Sequence, residues 1–433
     1  MSWGGFDLPR GSRMARIHFW RKDLAMKACR AVKISDNVYW VGAIDWDIRN
    51  FHGYSTDRGT TYNAYLIMAE KVTLVDVVKA PFREELLARI RSVIDPGKID
   101  YIISNHAEMD HSGCLPEMIG IIEPEKVFAS VKGVEALDAH FGLKDITPVE
   151  DGGEIDLGNM KVTCLETRLL HWPDSMVSYL AGDKVLFSQD GFGMHLASNE
   201  RFDDELDDYI LYHEAAKYYA NILLLYSHIA ARIIKRIEDS GLEIETIAPD
   251  HGPVWRSKIP WIMDHYKKWS ARELKKKALI VFDSMWDSTR MMARAVEDGL
   301  TEGGVHVKVL NATATSRAEV VTELIDAAAL IVGSPTLNNH IFPTVADILT
   351  YIKGLKPRGV VGAAFGSYGW SGESVRVLNA WLEDMKVELV DEGVRVQYVP
   401  KSEDLERCRQ LGLEIARRIG DLPDPLVITT VCT

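Results

Sequence analysis

No run of apolar residues in this chain approaches the roughly 18 needed to cross a bilayer, so a membrane span is not expected. Basic residues are the minority, 50 Lys and Arg against 63 Asp and Glu, for a formal net charge of -13. That balance disfavours nucleic acid or an anionic membrane as the main partner, because both attract basic surfaces. Cysteine is scarce: Cys29, Cys114, Cys164, Cys408 and Cys432 are scattered, and no Cys-x-x-Cys pair occurs. An odd, dispersed set argues against a disulfide framework and makes a reducing cytoplasm the expected location. It also removes any thiolate-bound metal centre from the chain. The first residues lack the apolar core of a secretory signal. Met14 offers a natural start, so residues 1–13 read as a leader or a short native extension. Low-complexity tracts and solenoid-spaced repeats are absent as well.

What is present is a chain of 433 residues, nearly half of them hydrophobic and about a quarter charged, which implies two or three domains. From about residue 30 to 255, short β-like runs dominate, bounded by Gly, Asp, Asn or Pro and interspersed with helical patterns. The longest of these patterns, Tyr209 to Glu238, reads as one helix. Residues 14–258 are therefore expected to form one α/β layered domain with two sheets. Residues 259–276 form an amphipathic, increasingly basic segment, expected to be a linker helix. From 277 to 420 the rhythm becomes strict βα alternation with five strands, the pattern of a doubly wound parallel sheet. Residues 421–433 are expected to be a C-terminal tail.

The first domain carries His106, Glu108, Asp110 and His111 within six residues at the end of an apolar strand. A turn there can aim alternate side chains into one small volume. His171, Asp190 and His251 each follow a strand in the same way. Four imidazoles and three carboxylates suffice for two metal ions, with one carboxylate shared between them. His195, a few residues past Asp190, is expected to orient a ligand or give a proton to bound substrate, though a plain structural role is open too. Asp174 is expected to brace the His171 loop, and Cys114 to be a buried structural thiol.

The second domain opens with a strand followed by Ser284, Met285, Trp286, Asp287, Ser288 and Thr289, then a helix. Hydroxyls and backbone N–H groups at such a turn cradle a phosphate monoester. Neither a Walker loop nor a G-x-G-x-x-G fingerprint is present. Two further loops follow later strands: Pro335, Thr336, Leu337, Asn338 and Asn339, then Ser367, Tyr368, Gly369, Trp370, Ser371 and Gly372. In a doubly wound sheet, loops at the carboxyl ends of strands meet around the ligand. Tyr368 or Trp370 could pack against a flat ring.

His-x-Glu-x-Asp-His with later His, Asp and His resembles the di-iron domain of flavodiiron proteins, the A-type flavoproteins. The three loops of the second half resemble the flavin loops of the same family. Together the resemblance covers about Met14 to Ile419. It implies an N-terminal metallo-β-lactamase-like αββα sandwich followed by a flavodoxin-like domain. It further implies two iron ions and FMN, with reduction of nitric oxide to nitrous oxide or of dioxygen to water. His106, Glu108 and His171 would hold one iron and Asp110, His111 and His251 the other, with Asp190 bridging. Hydrolase relatives typically have His where Glu108 stands and bind zinc; the extra carboxylate favours redox-active iron. Asp287 departs from the glycine common in the family and sets a charge near the expected phosphate. The resemblance also implies an external electron donor, rubredoxin-like in kind, and a head-to-tail homodimer or dimer of dimers. A zinc hydrolase fused to a flavodoxin-like module is the alternative, and a carrier with a vestigial metal site is a further one. The sequence leaves open the choice between nitric oxide and dioxygen.

Overall fold

The computed structural model describes residues 29–425; the expected leader at 1–13 and most of the tail at 421–433 lie outside them. Strands 32–33, 38–40, 65–67, 73–75, 101–104, 126–130 and 146–149 form a seven-stranded sheet in that order. Its first three pairings are antiparallel and its last three parallel. A second sheet orders strands 154–156, 161–166, 176–180, 185–189 and 246–249, antiparallel except for the last pair.

The two sheets face each other across a core that includes Trp40, Tyr65, Ile103, Val162, Cys164, Phe187 and Ala248. Alternation explains the packing in strand Lys161–Glu166, where Val162 and Cys164 are buried and Lys161 is exposed. Strand Met176–Leu180 is buried throughout because layers cover both of its faces. Helices Arg83–Arg91, Leu115–Ile122 and Val131–Phe141 cover the outer face of the first sheet through Leu86, Ile90, Leu115, Met118 and Leu137. The result is the expected αββα sandwich.

The third sheet is all parallel, in the order 306–311, 275–282, 327–333, 361–368 and then 388–389 with 394–397. This is the flavodoxin-type order, in which the chain reverses direction beside its first strand. The single fifth strand expected from sequence is two short ones. The break is a turn at Asp391, whose carboxylate accepts from the Gly393 N–H, with Gly393 in the left-handed region at φ 87.

A larger departure lies at Tyr209–Glu238. In place of one helix, Asp208–Tyr218 passes into a π-helical turn at Tyr219–Leu223 and a 3-10 turn at Leu224–Tyr226 before Ser227–Asp239 resumes. Asn221 fixes this wide turn, its amide donating to the carbonyls of Lys217 and Ala318. Ala318 belongs to the flavodoxin-like half, so tertiary contact selects the irregularity. The segment expected as a linker contains helix Ile259–Ala271, which buries Ile262, His265, Tyr266 and Trp269. Its core runs on without a break into the third sheet and its helices. Among the described residues no helix is long and apolar enough to cross a membrane.

Candidate metal centre and flavin loops

Strand Tyr101–Ser104 delivers the first cluster. Immediately after it, Asn105 donates from both its backbone N–H and its side-chain amide to the Asp76 carboxylate, at 2.7 and 2.9 Å. That clamp fixes the direction in which His106 leaves the sheet. The short helix Met109–Ser112 then turns Asp110 and His111 inward. His171, Asp190 and His251 arrive from loops after strands of the second sheet, so the seven side chains meet at one edge of the sandwich.

They form two groups, each with donor atoms within 4.8 Å of one another: His106, Glu108, His171 and Asp190, and Asp110, His111 and His251. In the first, Glu108 Oε2 lies 3.4 Å from His106 Nε2 and 3.3 Å from His171 Nε2. Asp190 Oδ2 lies 3.4 and 3.0 Å from the same two nitrogens. Its other oxygen, Oδ1, faces the second group, 3.3 Å from His111 Nε2 and 3.6 Å from His251 Nε2. Asp110 approaches His111 at 3.4 Å and His251 at 3.2 Å.

These spacings suit metal ions. Donors about 2.1 Å from a shared ion stand about 3.0 Å apart at right angles and about 3.4 Å apart at tetrahedral angles. His106 Nε2, His111 Nε2 and both Asp110 oxygens are buried with no hydrogen-bond partner, a costly state unless a cation sits among them. Burial disfavours charge on His106, yet Asp174, Glu108 and Asp190 outweigh it and hold the imidazole up to about 10. Burial likewise pushes the Glu108 carboxyl up, but His106 and His171 bring it down to about 2.

A further layer orients the imidazoles. Asp174 Oδ2 accepts from His106 Nδ1 at 2.9 Å and from the Ala107 N–H at 2.7 Å. His251 Nδ1 donates to the Thr61 carbonyl at 2.6 Å. Both contacts leave Nε2 for the centre, the usual arrangement around metal-binding histidines. His195 stands beside the centre, its Nδ1 2.8 Å from Thr60 Oγ1 and its Nε2 without a partner. Burial, reinforced by the neighbouring His251, holds it neutral, well below the ordinary imidazole range.

The three flavin loops meet at the carboxyl end of the third sheet. Thr289 Oγ1 and Ser367 Oγ are 2.9 Å apart, and the Thr336 N–H donates to the Ser367 carbonyl at 2.9 Å. A crevice between them is lined by Thr336, Asn338, Asn339, Gly369, Trp370 and Ser371. Leu337 and His340 pair across the turn that carries the two asparagines. Gly372 is required where it stands: φ is 74 and a Cβ would lie 2.9 Å from the Tyr368 ring. Trp370, on this crevice, is 87% exposed, and Trp286, at 86%, and Met285 lie on the surface of the first loop. Ser288 and Thr289 begin helix Ser288–Glu302, where the Arg290 N–H donates to Ser284 Oγ at 3.4 Å across the Ser284–Asp287 turn. Asp287 adopts the left-handed φ of 63 that glycine would take. Its carboxylate pairs with Arg290 Nε at 3.0 Å, which offsets the charge near a phosphate. The hydroxyls, helix start and crevice fit FMN.

A model described as "ODP family beta lactamase" matches residues 60–252, and one described as "Flavodoxin" matches residues 280–412. A nitric oxide reductase of Moorella thermoacetica is 45% identical over 90% of this chain and 99% of its own. The solved structure of rubredoxin oxygen:oxidoreductase from Desulfovibrio gigas matches with TM-score 0.89 at 44% identity, covering 90% of this chain and 99% of that one. The flavodiiron protein of Giardia intestinalis matches with TM-score 0.87 at 35% identity, covering 90% and 97%. The chain belongs to the flavodiiron protein family.

This flavodiiron chain also uses residues that its sequence pattern does not announce. A cavity of about 270 Å³ opens onto the centre, walled by Phe51, Tyr54, Tyr218, Asn221 and Tyr351 as well as by the metal-facing side chains. Tyr218 OH donates to Asp190 Oδ1 at 2.8 Å. On an amphipathic helix a tyrosine reads as core, and only the wide turn that follows marks it. Tyr351 reaches in from the flavodoxin-like half, its OH donating to Asn221 Oδ1 at 2.9 Å. None of the flavin-loop residues lines this cavity.

Proposed function

We propose that this chain reduces nitric oxide to nitrous oxide, or dioxygen to water, with electrons entering through FMN from an external donor. What supports this reading most is the Asp190 carboxylate, with Oδ2 turned to His106 and His171 and Oδ1 turned to His111 and His251. One carboxylate serving two donor sets is the arrangement that two nearby metal ions require. His106, Glu108 and His171 would hold one iron, Asp110, His111 and His251 the other, and Asp190 both. Glu108 favours iron over zinc because a carboxylate replaces a softer imidazole. When bound, the iron pair and the flavin supply the electron transfer and the substrate-binding positions.

The chain's own residues do the rest. The cavity, about 270 Å³, is sized for small substrates. Tyr218 holds its proton on Asp190 Oδ1 and fixes the shared carboxylate. His195, with Nδ1 2.8 Å from Thr60 Oγ1, faces the cavity and would orient a bound substrate or product there. Ser284–Thr289 would receive the FMN phosphate, and Pro335–Asn339 with Ser367–Gly372 its ring.

Because no flavin-loop residue lines the metal cavity, a head-to-tail homodimer or dimer of dimers, with one subunit's flavin serving its partner's metals, is part of the proposal. The donor is a small rubredoxin-like protein, as the name of the Desulfovibrio gigas rubredoxin oxygen:oxidoreductase suggests. The buried thiols of Cys114, Cys164 and Cys408 accord with a cytoplasmic location. The test is metal content per chain after anaerobic purification from iron-replete cells, followed by nitric oxide and dioxygen consumption. Two irons with consumption of either gas is the expected result. Two zincs that iron cannot displace, with hydrolysis of a lactone or thioester, would overturn it.

A further inference from the structure

A second, smaller cavity lies directly behind the metal centre. It measures about 20 Å³ and is walled by side chains of the second sheet, helix Ser227–Asp239 and helix Ile259–Ala271, among them Val177, Leu186, Phe192, Ala230, Ile234 and Tyr266. Two features set it apart from a packing gap elsewhere. The first is its chemistry. Its wall presents carbon alone to the interior, although Thr167, Ser188, Gln189 and Tyr266 contribute to it with their polar atoms turned away from it. A buried water needs two to four polar partners, and an apolar void of this kind stays dry and takes up nonpolar guests such as xenon. The volume is that of about one water-sized molecule, enough for a diatomic gas and too little for an organic substrate.

The second feature is place. Leu170, on the wall, immediately precedes His171, and Gln189 and Gly191, also on the wall, bracket Asp190. The Gln189 side chain donates to the Leu170 carbonyl at 2.5 Å, tying the two loops together between the cavities. The apolar cavity and the metal cavity therefore lie on either side of the two strand-end loops that carry His171 and Asp190.

We infer that this cavity is a holding site for nitric oxide or dioxygen, from which the gas reaches the centre between the His171 and Asp190 loops. The inference rests on the reading that the chain reduces one of these gases. Both are small, nearly nonpolar and more soluble in hydrocarbon than in water, so a dry apolar pocket concentrates them where bulk water would not. A charged or strongly hydrated ligand gains nothing there. No bond is made or broken in the cavity.

Two substitutions of opposite sign test this. Ala230→Leu fills the cavity from helix Ser227–Asp239, and Val177→Ala enlarges it from the sheet. Crystals of the iron- and FMN-loaded protein under xenon pressure should show xenon in the wild-type cavity, more of it in Val177→Ala and none in Ala230→Leu. Steady-state assays should show the KM for the gas raised by about threefold or more in Ala230→Leu, with kcat and iron content unchanged, and not raised in Val177→Ala. Ordered water in place of xenon overturns the proposal, as does xenon binding with an unaltered KM in Ala230→Leu. A rise in KM in both variants would mean general loosening and would equally refute it. Failure of the parent reading is separate: wild-type protein with two irons would then consume neither gas, whatever xenon does.

Discussion

The hydrogen bonds that His106 and Ala107 donate to Asp174 hold the His106 ring toward the centre. Asp174 is 3% exposed, and its Oδ2 accepts both the His106 Nδ1 proton at 2.9 Å and the Ala107 N–H at 2.7 Å. In Asp174→Ala both donors stay buried without partners, at a cost of about 1–3 kcal/mol each for an orphaned polar group. The His106 ring also loses what keeps Nε2 aimed at the centre. Losing such an outer partner lowers metal affinity by about 10–100-fold, or about 1.4–2.7 kcal/mol. The loop itself should hold, because Ser130 Oγ donates to the Asp174 carbonyl at 2.6 Å and that bond survives the substitution. Asp174→Asn is the graded control. One amide oxygen at the Oδ2 position can accept both bonds without the charge, so a loss of about tenfold or less is expected. The assay is anaerobic titration with a ferrous chelator, reading iron retained per chain by mass spectrometry. In Asp174→Ala one iron should leave at a chelator concentration about ten- to a hundredfold lower, while the ion that Asp110, His111 and His251 would hold under this proposal is less affected. If wild type and Asp174→Ala release half their iron at the same chelator concentration, the bond to His106 does not position a ligand and the reasoning fails.

Other substitutions probe other parts of the argument. Tyr218→Phe removes a buried 2.8 Å hydrogen bond to Asp190; kcat should fall about tenfold or more with both irons retained, and an unchanged kcat would reduce Tyr218 to packing. Asp287→Gly relieves a left-handed aspartate at φ 63 and deletes a carboxylate beside the expected phosphate. The Kd for FMN, followed by flavin fluorescence, should tighten by about fivefold or more; weaker binding would show that the Asp287–Arg290 pair helps the cradle. His265 is buried among Trp261, Trp269 and Tyr212. Burial, with Lys268 nearby, lowers its pKa from the ordinary 6.5 to about 4. The unfolded chain therefore binds a proton that the folded chain refuses. His265 contributes stability in full above about 6.5, which is lost as pH falls towards 4. That change corresponds to about 3.4 kcal/mol at most, and to about 2 kcal/mol after solvent screening. His265→Phe should flatten that limb of a urea-denaturation series, and an equal acid sensitivity in both proteins would refute the assignment.

How much of this the sequence announced depends on where each signal is written. Four metal-type residues in six positions after a strand are a local pattern, and the strand end that aims them is local too. Asp174 was visible only as a nearby loop residue, because its role lies in one hydrogen bond to a histidine 68 positions away. The pairing of Asp287 with Arg290 is an i, i+3 contact at a helix start, and spacing alone could have suggested it. The turn at Asp391–Gly393 carried the usual residues of a break, yet the surrounding Val residues masked it as one strand. The irregular segment after Tyr218 was illegible for a deeper reason. A π-helical turn is disfavoured in isolation, and what selects it is the bond from Asn221 to Ala318, almost a hundred residues downstream. Tyr218 and Asn221 reach the cavity because of that turn, so the missed residues and the missed geometry have one cause.

That same contact bears on what each half can do alone. The flavodoxin-like half supplies Tyr351 to the cavity wall, Ala318 to Asn221, and Ser316, whose Oγ lies 3.2 Å from Ser55 Oγ in the hairpin that carries Phe51 and Tyr54. Arg272 donates to the Ile325 carbonyl at 2.6 Å where the chain crosses over. One apolar core includes Tyr219, Leu223 and Trp269 from the first half and Val320, Leu324, Val345 and Leu349 from the second. Ending the chain after Arg272 would thus expose a large apolar face and release the hairpin over the metal centre, a loss separate from that of the flavin. A fragment of residues 29–272 should be aggregation-prone. It should also reduce nitric oxide poorly when a chemical reductant replaces FMN, even with iron bound. A fragment that stays monodisperse and turns over at the full-length rate with the same reductant would show that the second half brings electrons only. The contacts through Asn221, Tyr351 and Ser316 argue instead that it also shapes the chamber in which they are used.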